Sequence, residues 1–212
     1  MNEKKNQLCQ AKLYGVLDAG VSDYDRLFDI LDRCADGGVD IFQIRAKQGN
    51  ARDVLNFTRR AVRHLNGQAL FIVNDRVDLA LSGGADGVHL GQEDLSVEDA
   101  RRLAGDDLVL GVSCQTMEQA REAQAAGADY IGFGSVFKTA TKPERNPMDL
   151  ALLARVLKEI SIPVFPIGGI TCDNLVALTA LGVRRAAVTR ALCLAENPED
   201  EAKRFRNILQ TV

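Results

Sequence analysis

The sequence predicts one α/β domain built as a closed (β/α)8 barrel. Three observations lead there: eight short apolar runs recur along 212 residues, segments of helical periodicity separate them, and no Pro/Ser-rich or low-complexity stretch marks a linker. Apolar runs that do not alternate with polar residues read as strands covered on both faces, and strands separated by helices pair in parallel. Eight such units close a barrel, and about 26 residues per unit leaves room only for short loops. An open doubly wound sheet is the structural alternative.

The elements follow in chain order. Residues 1–11 read as a flexible or peripheral segment, and "KLYGVLD" is the first strand. "YDRLFDILDRCA" then spaces apolar residues three and four apart with charge between, as a surface helix does. The run from Gly37, "GGVDIFQIR", is the second strand, followed by the helical "ARDVLNFTRRAVRHL". "QALFIVN" is the third, after which "RVDLAL" starts a helix. The fourth to eighth are "GGADGVHLG" from Gly83, "DLVLGVS", "AGADYIGFGS" from Ala126, "IPVFPIGG" and "LGVRRAAVT" from Leu181. "TMEQAREAQAA" and "LALLARVLKEI" are helices between them. Four strands begin just after Gly or small residues, the pattern of a helix C-terminus turning directly into a strand.

Composition narrows the function. Twenty-six basic against 29 acidic residues give a net charge of −3, which argues against general attraction to nucleic acid or anionic membranes. "MNEKKNQLCQ" has no apolar signal region and no run reaches a membrane span, so the expected compartment is the cytoplasm. Five scattered cysteines without a CxxC pair fit reduced thiols, and two histidines weigh against a His-rich metal centre.

A barrel of this kind carries its chemistry where the carboxyl ends of the strands meet the following loops. Those ends hold Gln43, Arg45 and Lys47 after the second strand, Asn74 and Asp75 after the third, and Gln92, Glu93 and Asp94 after the fourth. Ser113 follows the fifth, Thr139, Thr141 and Lys142 the sixth, Gly168 and Gly169 the seventh, and Thr189 and Arg190 the eighth. Asn74 and Asp75 are also good helix N-caps. Asp75 and Asp94 follow neighbouring strands, so their carboxylates can approach one hard cation. Mg2+ commonly takes one or two carboxylates and completes its shell with water and phosphate oxygens. Arg45, Lys47 and Lys142 add positive charge, and the period-two spacing of Gln43, Arg45 and Lys47 can point all three to one face. Together these favour a Mg2+-bound pyrophosphate. "PIGGIT" and the segment after the eighth strand suggest a second, phosphate-binding site. Residues 136–147, "VFKTATKPERNP", read as a flap over both. His89 reads as a satisfied group at or near the core, and no His is placed to activate Ser113 or Cys114 as a nucleophile.

From about Leu13 to Leu192 the chain resembles the thiamin phosphate synthase family. The resemblance rests on "FQIRAK", "IVNDRVDLAL", "ADGVHLGQEDL", "LGVS", "ADYIGFGSVFKTATK", "IPVFPIGGI" and "AAVTRAL" in that order. It implies a (β/α)8 transferase that joins hydroxymethylpyrimidine pyrophosphate to hydroxyethylthiazole phosphate. It also implies Mg2+ ligation by Asp75 and Asp94, and a pyrimidine pyrophosphate site at Gln43, Arg45, Lys47, Asn74, Ser113 and Lys142. Thr139, Thr141, Gly169, Thr189 and Arg190 fall at the thiazole phosphate site. Arg45, Lys47 and Lys142 are the groups expected to assist pyrophosphate departure. The reading leaves room for a homo-oligomer.

The family usually carries Ser where this chain has Arg190. Either Arg190 contacts the phosphate, or it points outward while the backbone amides of 189 and 190 bind it. The family also tends to have His at Gln115 and a Gly within "NPMDL". Two alternatives stand beside the synthase: a thiazole tautomerase-like isomerase, which the missing His disfavours, and a noncatalytic phosphate-binding paralogue.

Overall fold

Each apolar run of the sequence is a parallel strand in the computed structural model, which describes residues 3–140 and 146–210. The order is α1 (Glu3–Gln10), β1 (Leu13–Asp18), α2 (Tyr24–Asp36), β2 (Ile41–Arg45), α3 (Ala51–Leu65), β3 (Leu70–Asn74), α4 (Val77–Gly83), β4 (Gly87–Leu90) and α5 (Val97–Ala104). It continues through β5 (Val109–Cys114), α6 (Met117–Ala125), β6 (Tyr130–Gly134), α7 (Leu150–Glu159), β7 (Val164–Ile167), α8 (Cys172–Thr179), β8 (Ala186–Val188), α9 (Arg190–Cys193) and α10 (Pro198–Gln210). The strands close in sequence order, with β8 pairing β1 through Tyr14 opposite Ala187. The open sheet is thereby excluded.

Strand side chains alternate between two apolar compartments. Leu13, Leu17, Phe42, Ile44, Phe71 and Val73 pack outward under the helices, joined by Leu27, Ile30 and Leu31 of α2 and Phe57 and Ala61 of α3. Tyr14, Val16, Ile41, Leu70, Ile72, Val109, Tyr130 and Phe165 fill the barrel itself. Gly111 makes room for the largest of these: a Cβ there would lie 2.0 Å from Tyr130 Cζ.

The amino-terminal segment is more than an appendage. Its helix α1 places Leu8, 1% exposed, in the barrel's inner cluster. Ion pairs from Lys4 to Asp86 (3.3 Å) and Lys5 to Asp129 (2.9 Å) hold the helix against residues that precede β4 and β6. One buried leucine in a charged octamer leaves too weak a periodicity to reveal this floor from sequence.

At the opposite mouth, the cap reading of Asn74 and Asp75 does not hold. The N-cap of α4 is Arg76, which makes no side-chain cap hydrogen bond. Among the described residues no helix is long and apolar enough to cross a membrane.

Candidate active site at the carboxyl mouth of the barrel

The carboxyl ends of the strands surround a cavity of about 460 Å3, within the range of small-molecule sites. Gln43, Arg45, Asn74, Ser113, Thr139, Gly169, Thr189 and Arg190 all line it. Thr141 and Lys142 lie outside the described residues, as does the centre of the 136–147 flap. The start of that flap prolongs the pairing of β6 with β7: Val136 N donates to Ile167 O and Phe137 N to Gly168 O, both at 2.9 Å.

Lys47, Asp75 and Asp94 stand beside the cavity rather than in its wall. Asp75 adopts a left-handed backbone, φ 64°, which Asp tolerates better than most residues. Its N–H is tied to His89 O at 2.8 Å, so the turn is fastened to β4. There the Asp75 carboxylate meets both Asp94 and Lys47, the latter at 2.5 Å. Asp94 is held by Gly91 N, 2.6 Å away. Burial first, and then the Asp94 carboxylate, push the Asp75 carboxyl above its ordinary range against the opposing pull of Lys47. Among the described residues no three His, Cys, Asp or Glu side chains converge as metal ligands. The Asp75/Asp94 pair supplies two carboxylates, which matches a Mg2+ site completed by phosphate oxygens and water.

Arg45 brings in a residue that the sequence reading passed over. Asp18, at the end of β1 and 3% exposed, accepts from Arg45 Nη1 at 2.7 Å and from Gly20 N at 2.9 Å. The register sets Asp18 directly opposite Arg45, so the pair orients the guanidinium beside the cavity. Its signal was present as the final residue of "LYGVLD", a carboxylate closing an apolar strand.

Below the mouth a polar chain crosses the barrel. Gln43 Nε2 donates to Tyr14 Oη at 2.7 Å, Tyr14 and Tyr130 hydroxyls lie 2.9 Å apart, and Tyr130 Oη is 3.1 Å from His89 Nδ1. His89 Nε2 reaches Ser113 Oγ at 2.9 Å. Burial pushes both phenols up, so they stay protonated. With Gln43 donating, the arrangement that gives each phenol proton an acceptor within the chain has Tyr14 donating to Tyr130 and Tyr130 to His89 Nδ1. In that arrangement His89 carries its proton on Nε2 and donates to Ser113, whose hydroxyl is left to donate into the cavity. The expectation of a satisfied His89 is met, but the expectation that no His is placed at Ser113 is not, because β4 and β5 are neighbours in the barrel and bring His89 against Ser113, a contact that sequence spacing gave no hint of.

On the far wall, Gly169 has φ 65° and lies so close to the flap that a Cβ would sit 2.5 Å from Lys138 O. Glycine is required there on both counts. Thr189 and Arg190 begin α9, and Lys138, also unremarked in sequence, lines the same cavity.

Comparison with known proteins agrees with this fold. The family model described as thiamine monophosphate synthase matches residues 13–192. A thiamine-phosphate synthase of Gloeobacter violaceus is 44% identical over 198 residues, covering 92% of this chain but 56% of that protein. The chain thus spans little more than half of that relative's length. One from Caldivirga maquilingensis is 40% identical, with 91% of this chain and 94% of that protein covered. Among solved structures, a thiamine phosphate pyrophosphorylase from Pyrococcus furiosus superposes with a TM-score of 0.86 at 33% identity, covering 98% of each chain. By the extent of the family match and by these relatives, the chain belongs to the thiamine monophosphate synthase family.

Proposed function

We propose that the protein joins hydroxymethylpyrimidine pyrophosphate to hydroxyethylthiazole phosphate, giving thiamin phosphate and pyrophosphate. The observation that carries this reading is the contact of Asp75 with both Asp94 and Lys47, beside Arg45, at the edge of one cavity. Such a cluster suits a leaving group with more than one phosphate.

The chemistry follows from the substrates. The bond between the pyrimidine's methylene carbon and the pyrophosphate oxygen breaks, and its electron pair leaves with pyrophosphate. Electron release from the aminopyrimidine stabilises the resulting carbocation, and the thiazole nitrogen forms the new C–N bond with its lone pair. No protein nucleophile is needed. Bound at Asp75 and Asp94, Mg2+ would neutralise charge on the departing pyrophosphate. Arg45 and Lys47, together with Lys142, stabilise the same group, and Asp18 keeps Arg45 aimed. Gln43, Asn74 and Ser113 orient the pyrimidine, with Ser113 donating. Thr139, Thr141, Gly169, Thr189 and Arg190 hold the thiazole phosphate. Enclosing both substrates in one cavity supplies proximity and keeps water from the cation.

Incubation with both substrates and Mg2+ tests this directly. Thiamin phosphate and pyrophosphate should appear in equal amounts. Binding of both substrates without product would point to the noncatalytic paralogue, and isomerisation of a thiazole alone to the tautomerase.

A further inference from the structure

The two halves of the mouth differ in how their charge is balanced. Around the ends of β1 to β4, both cations are already paired, Arg45 with Asp18 and Lys47 with Asp75, and Asp94 adds a third carboxylate. This half gains affinity for a polyanion only when a divalent cation joins it. Around β6 to β8 the balance is opposite. Among the described residues Lys138 and Arg190 line the cavity there, no Asp or Glu does, and neither cation is ion-paired. Lys138 belongs to the stretch that packs over Gly169 after β7, and Arg190 follows β8, the neighbouring strand. Two cations without an ion-pair partner among the described residues, at a wall otherwise lined by glycines, apolar side chains and the hydroxyls of Ser135, Thr139, Thr171 and Thr189, suit one compact dianion.

Resting on the synthase reading, we propose that Lys138 and Arg190 form a two-cation clamp that selects the phosphorylated thiazole, and that this clamp, unlike the leaving-group half, takes its anion without a divalent cation. The arginine presents a planar fork and the lysine a mobile point charge, so the two can close on a phosphate monoester from adjacent strand ends. The unphosphorylated alcohol would leave both cations without a partner and bind weakly.

Titration calorimetry in EDTA tests the clamp without turnover, using hydroxyethylthiazole phosphate and inorganic phosphate as probes against wild type, Lys138→Ala, Lys138→Arg and Arg190→Ala. Wild type should bind both probes in EDTA. Lys138→Ala and Arg190→Ala should each weaken binding about 10-fold, the loss of one charge-assisted contact, with Lys138→Arg recovering most of it. Binding of inorganic pyrophosphate with Mg2+ should change less than about 2-fold, since those side chains face the other subsite. In the coupled reaction, both Ala variants should raise KM for the thiazole phosphate and leave that for the pyrimidine pyrophosphate unaltered. A requirement for Mg2+ in phosphate binding, unchanged affinity in Lys138→Ala, or an equal loss of pyrophosphate affinity would each overturn the clamp. If no thiamin phosphate forms while inorganic phosphate still binds in a Lys138- and Arg190-dependent way, the clamp stands and the synthase reading fails.

Discussion

Replacing Tyr130 by Phe removes one oxygen from the middle of the polar chain and leaves the ring in place. That hydroxyl is fully buried and lies between Tyr14 Oη at 2.9 Å and His89 Nδ1 at 3.1 Å. Its loss takes an acceptor from Tyr14 and a donor from His89, and each group so deprived costs about 1–3 kcal/mol when buried. The smaller cavity left by a missing oxygen adds little, so the expected cost is about 3 kcal/mol. For a chain of this size 1 kcal/mol moves Tm by about 2–4 °C, which places the variant about 6–12 °C below wild type. Nitrogen-15 NMR of the imidazole gives a second reading. In wild type His89 should carry its proton on Nε2; in the variant the Nδ1 tautomer should become populated, and Ser113 should lose its fixed donor. We expect kcat/KM for the pyrimidine substrate to fall about 10-fold, equivalent to about 1.4 kcal/mol. A Tm within about 1 °C of wild type, or a wild-type His89 protonated at Nδ1, would refute the directional chain.

Three further outcomes are expected. Because the folded state raises the Asp75 pKa, its protonated form is the stabilising one; that contribution is complete below 3.8 and is lost as pH rises through the folded value. Asp75→Asn should therefore be at least as stable as wild type at pH 7 by calorimetry, while its Mg2+-dependent turnover falls about 100-fold. Near-normal turnover would return Asp75 to a purely structural role. Arg45→Ala leaves Asp18, 4% exposed at its side chain, without its counter-ion and should cost about 3 kcal/mol in urea unfolding. The Arg45→Ala/Asp18→Asn double variant should recover much of that stability and none of the pyrophosphate affinity. Leu8→Ala should cost about 2–5 kcal/mol through the barrel floor, with KM for both substrates unchanged; a smaller loss would mean that α1 does not seal the inner cluster.

Much of this site is read from one dimension because a barrel strand carries its functional residue at its own end. Once "FIVND" is placed as a strand, Asn74 and Asp75 must arrive at the mouth, and the same holds for Gln43, Arg45 and Ser113. Asp75 is the instructive case. Local chemistry made it a helix cap, yet the helix begins at Val77 behind Arg76, and a left-handed turn carries Asp75 to Asp94 and Lys47 instead. Asp18 and Lys138 were overlooked because their meaning depends on company: an Arg across the register for one, and a cavity wall without a carboxylate among the described residues for the other.

The sequence by itself determined the eight strands, their parallel pairing, and the strand ends at which chemistry gathers. Those follow from hydrophobic burial and chain period, which are local along the chain. Only the tertiary structure decided that the sheet closes, which cations are already paired, that five side chains from β1, β2, β4, β5 and β6 meet in one hydrogen-bonded chain, and that α1 packs Leu8 into the inner cluster. Those depend on distances between residues far apart in sequence, and electrostatic pairing and hydrogen bonding change sign or vanish within a few ångströms.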